Sequence, residues 1–155
     1  AALGGTEANM GKDPTPTFST CFGAPFLPRP PHVYAGMLAD KMRRHATPCY
    51  LMNSGWVGNP YGQGPRCPLP VNRRCVAHIL DGTLDRATFR TDPVFGFEIP
   101  VALPGVPPEF LAERHGARDA AEYDRRSRDL AGKFIKNFAQ FEGTPEAIVR
   151  AGPRI

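Results

Sequence analysis

No apolar run in this sequence approaches the roughly 20 consecutive residues that a membrane-spanning helix requires, which excludes a helical span. A charged-then-apolar leader is also missing, so the expectation is a chain that is not secreted. The four cysteines, Cys21, Cys49, Cys67 and Cys75, contain no C-x-x-C pair. That spacing removes zinc-ribbon and thioredoxin-like readings and leaves buried, reduced thiols as the expectation. There is no G-x-S-x-G elbow for a serine nucleophile. The four histidines, His32, His45, His78 and His115, are isolated from one another and from the cysteines, so each reads as a surface or satisfied-core residue and no metal site is expected. Basic residues occur as scattered pairs (Arg43-Arg44, Arg73-Arg74, Arg125-Arg126) without a contiguous stripe or interleaved aromatics, which argues against a nucleic-acid partner.

What the chain does have is proline and glycine. Eighteen prolines and 16 glycines make up about a fifth of its 155 residues, a composition of many turns and few uninterrupted helices. That length suits one domain, residues 1–155, burying roughly 68–70% of its unfolded surface. The formal net charge of +4 suits an anionic ligand without demanding one.

The turn-rich start includes the small and aromatic run 18–26, the composition of a buried bend. Over residues 31–45, Tyr34, Leu38 and Met42 recur at i, i+4 and i+8, with Val33 and Met37 widening the stripe, which predicts an amphipathic helix. Residues 49–53 are short and apolar and read as a buried strand feeding a glycine-rich loop. A second helix is predicted over 71–81, with Cys75, Val76, Ile79 and Leu80 on one face and Gly82 as its left-handed stop. Two short strands follow around 87–91 and 94–99, then a proline-rich link over 100–108. The longest helix is predicted over 119–141, with Tyr123, Leu130, Phe134, Ile135, Phe138 and Phe141 as a core-facing stripe. Thr144-Pro145-Glu146 starts a short terminal helix, and Gly152-Pro153 ends it. The fold class is therefore mixed α/β, a mixed sheet with flanking helices.

The loop over 53–66, NSGWVGNPYGQGPR, has the glycines that let backbone N–H groups approach a phosphate, but not the Lys-Ser or Lys-Thr pair that completes a phosphate-binding loop. Ser54 has no evident base nearby in sequence. Asp81 and Asp85 flank Gly82, where carboxylates more often form turns than do chemistry. The residues taken one by one offer no complete catalytic constellation.

The order of several phrases carries more information. Gly5-Thr6-Glu7; Asp13-Pro-Thr-Pro-Thr-Phe-Ser-Thr-Cys-Phe-Gly-Ala; Tyr34-Ala with Leu38-Ala-Asp-Lys-Met; Asn53-Ser-Gly-Trp-Val-Gly with Tyr61-Gly; Ile79-Leu-Asp-Gly-Thr-Leu; Asp92-Pro-Val-Phe-Gly-Phe-Glu-Ile-Pro; and Pro104-Gly-Val-Pro keep their order through almost the whole chain, down to Ala151-Gly-Pro-Arg-Ile. In that order they resemble the C-terminal part of ATP-dependent phosphoenolpyruvate carboxykinase. The resemblance implies the C-terminal, nucleotide-side domain of that fold, incomplete here. It implies an enzyme that converts oxaloacetate and ATP to phosphoenolpyruvate, ADP and carbon dioxide with Mg or Mn as divalent cations. In the family the phosphate-binding loop, the metal ligands and the substrate arginine lie upstream of the segment matched here. No catalytic residue and no metal ligand is therefore expected in this chain, and the loop over 53–66 is expected to be a structural, lid-supporting one. Thr15 matches the E-P-T-P-T-F phrase and is the residue implied to contact the nucleotide.

The chain also departs from the family pattern. Ala8 and Asn9 stand where arginine and glycine follow Thr-Glu, Ala2 where a lysine is expected, and Pro65 where the loop carries a polar or basic residue. A lost arginine removes charge-assisted hydrogen bonds worth roughly 1.5–3 kcal/mol. The resemblance thus supports two expectations. One is a segment of an active carboxykinase, with an upstream carboxykinase polypeptide as its partner. The other is a catalytically dead structural subunit of a larger assembly. The compartment implied is cytoplasmic or mitochondrial, and the closing Pro153-Arg-Ile is not read as a peroxisomal signal.

Overall fold

Prolines mark where two of the longer helices of this chain begin. The computed structural model describes residues 18, 24–60, 62–64 and 66–155, and the side chains of residues 24, 113 and 115 are outside that description. After a 3₁₀ turn at Ala24–Phe26, Pro31 occupies the first helical position of α1 (Pro31–His45). Proline is favoured there because its missing N–H would be unpaired in any case. Helix α2 (Leu69–Leu80) repeats the device with Pro68 as N-cap and Pro70 just inside. A second 3₁₀ turn (Leu84–Arg86) leads into β1 (Phe89–Thr91) and β2 (Glu98–Pro100). A third 3₁₀ turn (Pro108–Phe110) precedes α3 (Glu113–Gly116), α4 (Ala120–Phe138) and α5 (Glu146–Arg150). The mixed α/β class expected from sequence holds, with the β component a two-stranded antiparallel ribbon among the described residues.

The chain divides into two compact units. In the first, residues 1–51 with 137–146, α1 ends on Ala46 in the left-handed conformation at φ 48 and ψ 40. The N–H of Thr47 closes back on the Met42 carbonyl at 3.1 Å. An L-residue pays roughly 1–2 kcal/mol for that conformation, which glycine does not. Ala46→Gly is therefore expected to raise stability by about 1 kcal/mol, read as a higher urea midpoint; an unchanged or lowered midpoint would show that the cap is unstrained. On α1, His32 Cε1 would lie 3.7 Å from a Cβ added at Gly143, which adopts φ +72 in the turn after α4. Thr144 Oγ1 donates to the Phe141 carbonyl at 2.9 Å and fixes that turn.

The second unit, 52–136 with 147–155, holds the described core: Leu84, Leu103, Val106, Leu111 and Ala131, with His78 buried beside them. The ribbon pairs Phe89 with Pro100, Arg90 with Ile99 and Thr91 with Glu98. Its turn is built by Asp92, whose Oδ1 accepts the N–H groups of Val94 (3.0 Å) and Phe95 (2.6 Å) while Gly96 takes φ 71. Arg154 donates its N–H to the Val94 carbonyl at 2.7 Å, tying the end of the chain to that turn. Helix α4 starts on Asp119, whose Oδ1 accepts the N–H groups of Ala121 (2.9 Å) and Glu122 (3.1 Å), the N-cap arrangement favoured for aspartate.

Glu122 also accepts from Arg125 at 2.7 Å and from Arg126 at 2.5 Å. These hydrogen bonds, Arg125 first, hold its carboxyl down at about 2. A depressed carboxylate contributes stability that is present above its unfolded pKa and lost as pH falls through the folded value. The small contribution of Glu122 should thus persist at neutral pH and vanish as acid approaches pH 2. NMR titration is expected to place its midpoint near 2 and to move it upward in the Arg125→Ala/Arg126→Ala double variant; an unmoved midpoint would rule out the arginines as the cause.

Several sequence expectations are corrected. Residues 49–53 are not a strand: no neighbouring strand among the described residues offers a ladder, and Leu51 is 81% exposed. Within the run 18–26 the described aromatics are not buried, since Phe18 is exposed and Phe26 is 85% exposed. The described thiols are free but not buried: Cys49 is exposed, and Cys67 and Cys75 are half-buried, while Cys21 lies outside the described residues. Partial burial still pushes both of the latter thiols up. On α4 the stripe is present, with Phe134 edge-on to Phe95 at 6.2 Å, but its large side chains stay partly exposed and the buried contact is Ala131.

Candidate functional site

The loop over 53–66 begins with an Asx turn, in which Asn53 Oδ1 accepts the Gly55 N–H at 3.0 Å. Its two ends are then pinned together. Trp56 and Arg66 form an antiparallel bridge, and the Arg66 guanidinium lies 5.2 Å above the Trp56 ring, within the range of a cation–π contact. The Cys67 N–H reaches the Gly55 carbonyl at 2.9 Å just beyond the bridge. Inside the loop, Gly58 and Gly62 take φ 67 and φ 75, a region that side chains other than glycine rarely adopt.

Asn59 fastens the loop to the segment ahead of α4. Its Nδ2 donates to the Gly116 carbonyl at 3.3 Å, and its Oδ1 accepts the Arg118 N–H at 3.3 Å. Gly64 packs closely beneath it: an added Cβ would sit 3.0 Å from Asn59 Cβ, so Asn59 would have to shift. The Asn59 side chain is thus engaged in holding the loop in place.

Beside the loop runs an open groove of about 380 Å³, lined by Met52, Ser54, Leu69, Asn72, Arg73 and Val76. Asn72, on the first turn of α2, donates Nδ2 to the carbonyls of Cys67 (3.4 Å) and Pro68 (3.3 Å) and so fixes the entry of the chain into the helix. Arg73 makes no ion pair among the described residues and leaves its charge to the groove. Ser54 lines the same groove but hydrogen-bonds no histidine or carboxylate among the described residues, so it has no base.

The other residues weighed from sequence fall out as follows. Thr15, the expected nucleotide contact, lies outside the described residues, as do Ala2, Ala8, Asn9 and Pro65. Asp81 is a turn former: its Oδ1 accepts the Thr83 N–H at 2.8 Å, and hydrogen bonds from Thr83 hold its carboxyl below the usual range. His45 is exposed, His32 is half-buried, and His115 is outside the described side chains. His78 is buried, with Nε2 at 2.7 Å from the Pro104 carbonyl. Among the described residues no three His, Cys, Asp or Glu side chains converge to hold a metal ion, and no helix is long and apolar enough to cross a membrane.

Sequence reasoning did not single out Asn59, Arg73 or the Trp56–Arg66 pair. An Asn-Pro dipeptide announces a turn but not its partner 57 residues away. The signal for Arg73 was available, since it interrupts an otherwise apolar series at 69, 76 and 80.

Comparison with known proteins places this geometry in context. A family model described as phosphoenolpyruvate carboxykinase matches residues 1–109. The chain is 51% identical over 151 residues to a phosphoenolpyruvate carboxykinase (ATP) of Rhodopseudomonas palustris strain BisB5, covering 97% of this chain and 28% of that protein. It is 49% identical, with the same coverage, to the Bradyrhizobium diazoefficiens protein of that name. Against the Thermus thermophilus protein it is 48% identical over 155 residues, 99% of this chain and 29% of that protein. The chain therefore spans under a third of the length of these relatives.

Proposed function

The chain belongs to the phosphoenolpyruvate carboxykinase family, and from that membership we propose that it serves as the carboxyl-terminal segment of an ATP-dependent carboxykinase, forming part of the wall of the adenine-nucleotide site. The observation that carries this reading is the match of residues 1–109, together with about half-identity over 97% of the chain to relatives named as ATP-dependent enzymes. The reaction of the assembled enzyme would take oxaloacetate and ATP to phosphoenolpyruvate, ADP and carbon dioxide.

In that reading Thr15 contacts the nucleotide, and the loop over 53–66, pinned by Trp56, Arg66 and Asn59, is a structural, lid-supporting one. The divalent cations of such a reaction, Mg or Mn, find no fitting ligand set among the described residues. No step is routed through a metal in this chain, and the cations would be held by the polypeptide that carries the rest of the enzyme. The chain alone is then inactive. Cytoplasm or mitochondrion is the compartment of this reading.

The test is an assay of phosphoenolpyruvate formation with the 155-residue chain alone and after mixing with a polypeptide carrying the remaining carboxykinase length. The expected result is no product from the chain alone, product from the mixture, and a loss of at least tenfold in apparent ATP affinity on Thr15→Ala. Turnover by the chain alone would overturn the reading. A mixture that assembles but makes no product would favour the second one, a catalytically dead structural subunit, which Ala8, Asn9 and Pro65 at departures from the family pattern already support.

A further inference from the structure

Among the described residues His78 is the buried polar side chain, 6% exposed, and it sits in the last turn of α2. Its two ring nitrogens meet different surroundings. Nε2 lies 2.7 Å from the Pro104 carbonyl, a group that can only accept, so this nitrogen carries a proton. Nδ1 is buried without a hydrogen-bond partner, and Asp81 Oδ2 stands off it at 3.9 Å. That separation is too long for a hydrogen bond but short enough for strong attraction between full charges. A buried ring nitrogen left without a partner is costly. A proton on Nδ1 would turn it into a donor with a carboxylate close by. The Asp81 side chain is 56% exposed, so little packing opposes closing the gap. The C-terminal end of a helix also favours positive charge in its last turn, whereas burial opposes it, so the carboxylate decides the balance.

We propose that His78 is a proton-operated pin: in mild acid Nδ1 takes a proton from solvent, Asp81 closes on it, and the ring then ties the end of α2 to the Pro104 corner through both nitrogens. The proposal is independent of the functional reading above. The other charges around the ring are few. Arg74 precedes it by one turn on α2, with Nε 3.4 Å from a Cβ added at Gly105. The 3₁₀ turn Leu84–Arg86 packs on α2 and brings Asp85 and Arg86, while the corner over 103–106 brings no charged residue. The two arginines weigh against a charged imidazole and the two aspartates for it. Among the described residues, Asp81 is the group at ion-pair distance from the ring. The pair exists while the imidazole is protonated and Asp81 is ionised, and it is lost as pH rises through the ordinary imidazole range, about 6.5. Hydrogen bonds from Thr83 hold the Asp81 carboxyl below its usual range, so it stays ionised in mild acid.

Asp81→Asn tests this directly, because it keeps an Oδ1 for the Thr83 N–H and removes the charge. Urea unfolding of the full chain is followed at about pH 8 and about pH 5 for wild type, Asp81→Asn, His78→Gln and the double variant. Between those two conditions, the factor by which Asp81→Asn raises the unfolding constant is expected to grow about fivefold. In the His78→Gln background the same factor is expected to stay level. Other titrating groups, the exposed His45 among them, cancel in that comparison. Nitrogen NMR of the wild-type ring gives a second readout that needs no variant: both nitrogens of His78 protonated in mild acid, Nε2 alone in mild base. The proposal is overturned if the Asp81→Asn factor is the same at both pH values, if it grows equally without the imidazole, or if the folded chain keeps His78 neutral in mild acid.

Discussion

Leu111→Ala is expected to destabilise the chain by about 3 kcal/mol, the usual scale for deleting a buried leucine when the cavity does not collapse. The described buried apolar core is Leu84, Leu103, Val106, Leu111 and Ala131, and no large side chain in it is fully sealed from solvent. Leu111 is also locked in place: its N–H donates to the Pro108 carbonyl at 3.0 Å, and its own carbonyl accepts Arg90 Nη2 at 3.0 Å. These main-chain contacts survive the substitution and hold the walls of the cavity apart. Leu80→Ala, at 81% exposure, is the internal control and should stay within about 0.5 kcal/mol of wild type in the chain alone. Urea unfolding of both variants decides the matter: equal losses would mean that burial in this chain does not govern its stability.

His78→Ala carries the second large effect, a loss of about 2–3 kcal/mol that combines a buried hydrogen bond with the volume of the ring. A carbonyl can only accept, so the 2.7 Å contact with Pro104 requires the proton on Nε2. Nδ1 is buried with no hydrogen-bond partner, 3.9 Å from Asp81 Oδ2. The ring ties α2 to the Pro104-Gly105 corner, where Gly105 adopts φ +70 and an added Cβ would lie 3.4 Å from Arg74 Nε. His78→Gln keeps a donor of similar reach and should recover roughly 1 kcal/mol of the loss. If glutamine is no better than alanine in urea unfolding, the hydrogen bond contributes nothing and packing alone explains the position.

The helices were legible because their signals are local. Prolines at the first turn, an apolar repeat at i, i+4 and i+8, and a glycine stop located α1 at its observed bounds and α2 within two residues. The aspartate that caps α4 stands immediately before it in sequence, and the helix begins one residue later than the periodicity indicates. The ribbon was legible for the same reason, since Asp92 and Gly96 build its turn within a few residues.

Family phrases in a fixed order were equally readable from sequence, and with them the kinship to phosphoenolpyruvate carboxykinases and the expectation that catalysis needs more than this chain. What only the tertiary structure decided is where the residues between those phrases point. The segment 49–53 is apolar enough for a strand, but a strand exists only when a neighbour supplies its ladder. Spacing puts Val76 and Leu80 on one face with Cys75 and Ile79, yet Val76 and Leu80 are exposed while the other two are half-buried, because burial depends on what packs against a face and not on the face alone. Asn59 became a fastening for the glycine loop through a contact 57 residues away, and His78, unremarkable in sequence, became the pin between α2 and the Pro104 corner. Periodicity and capping are properties of neighbouring residues; contact across the fold is a property of the whole chain and of whatever covers it.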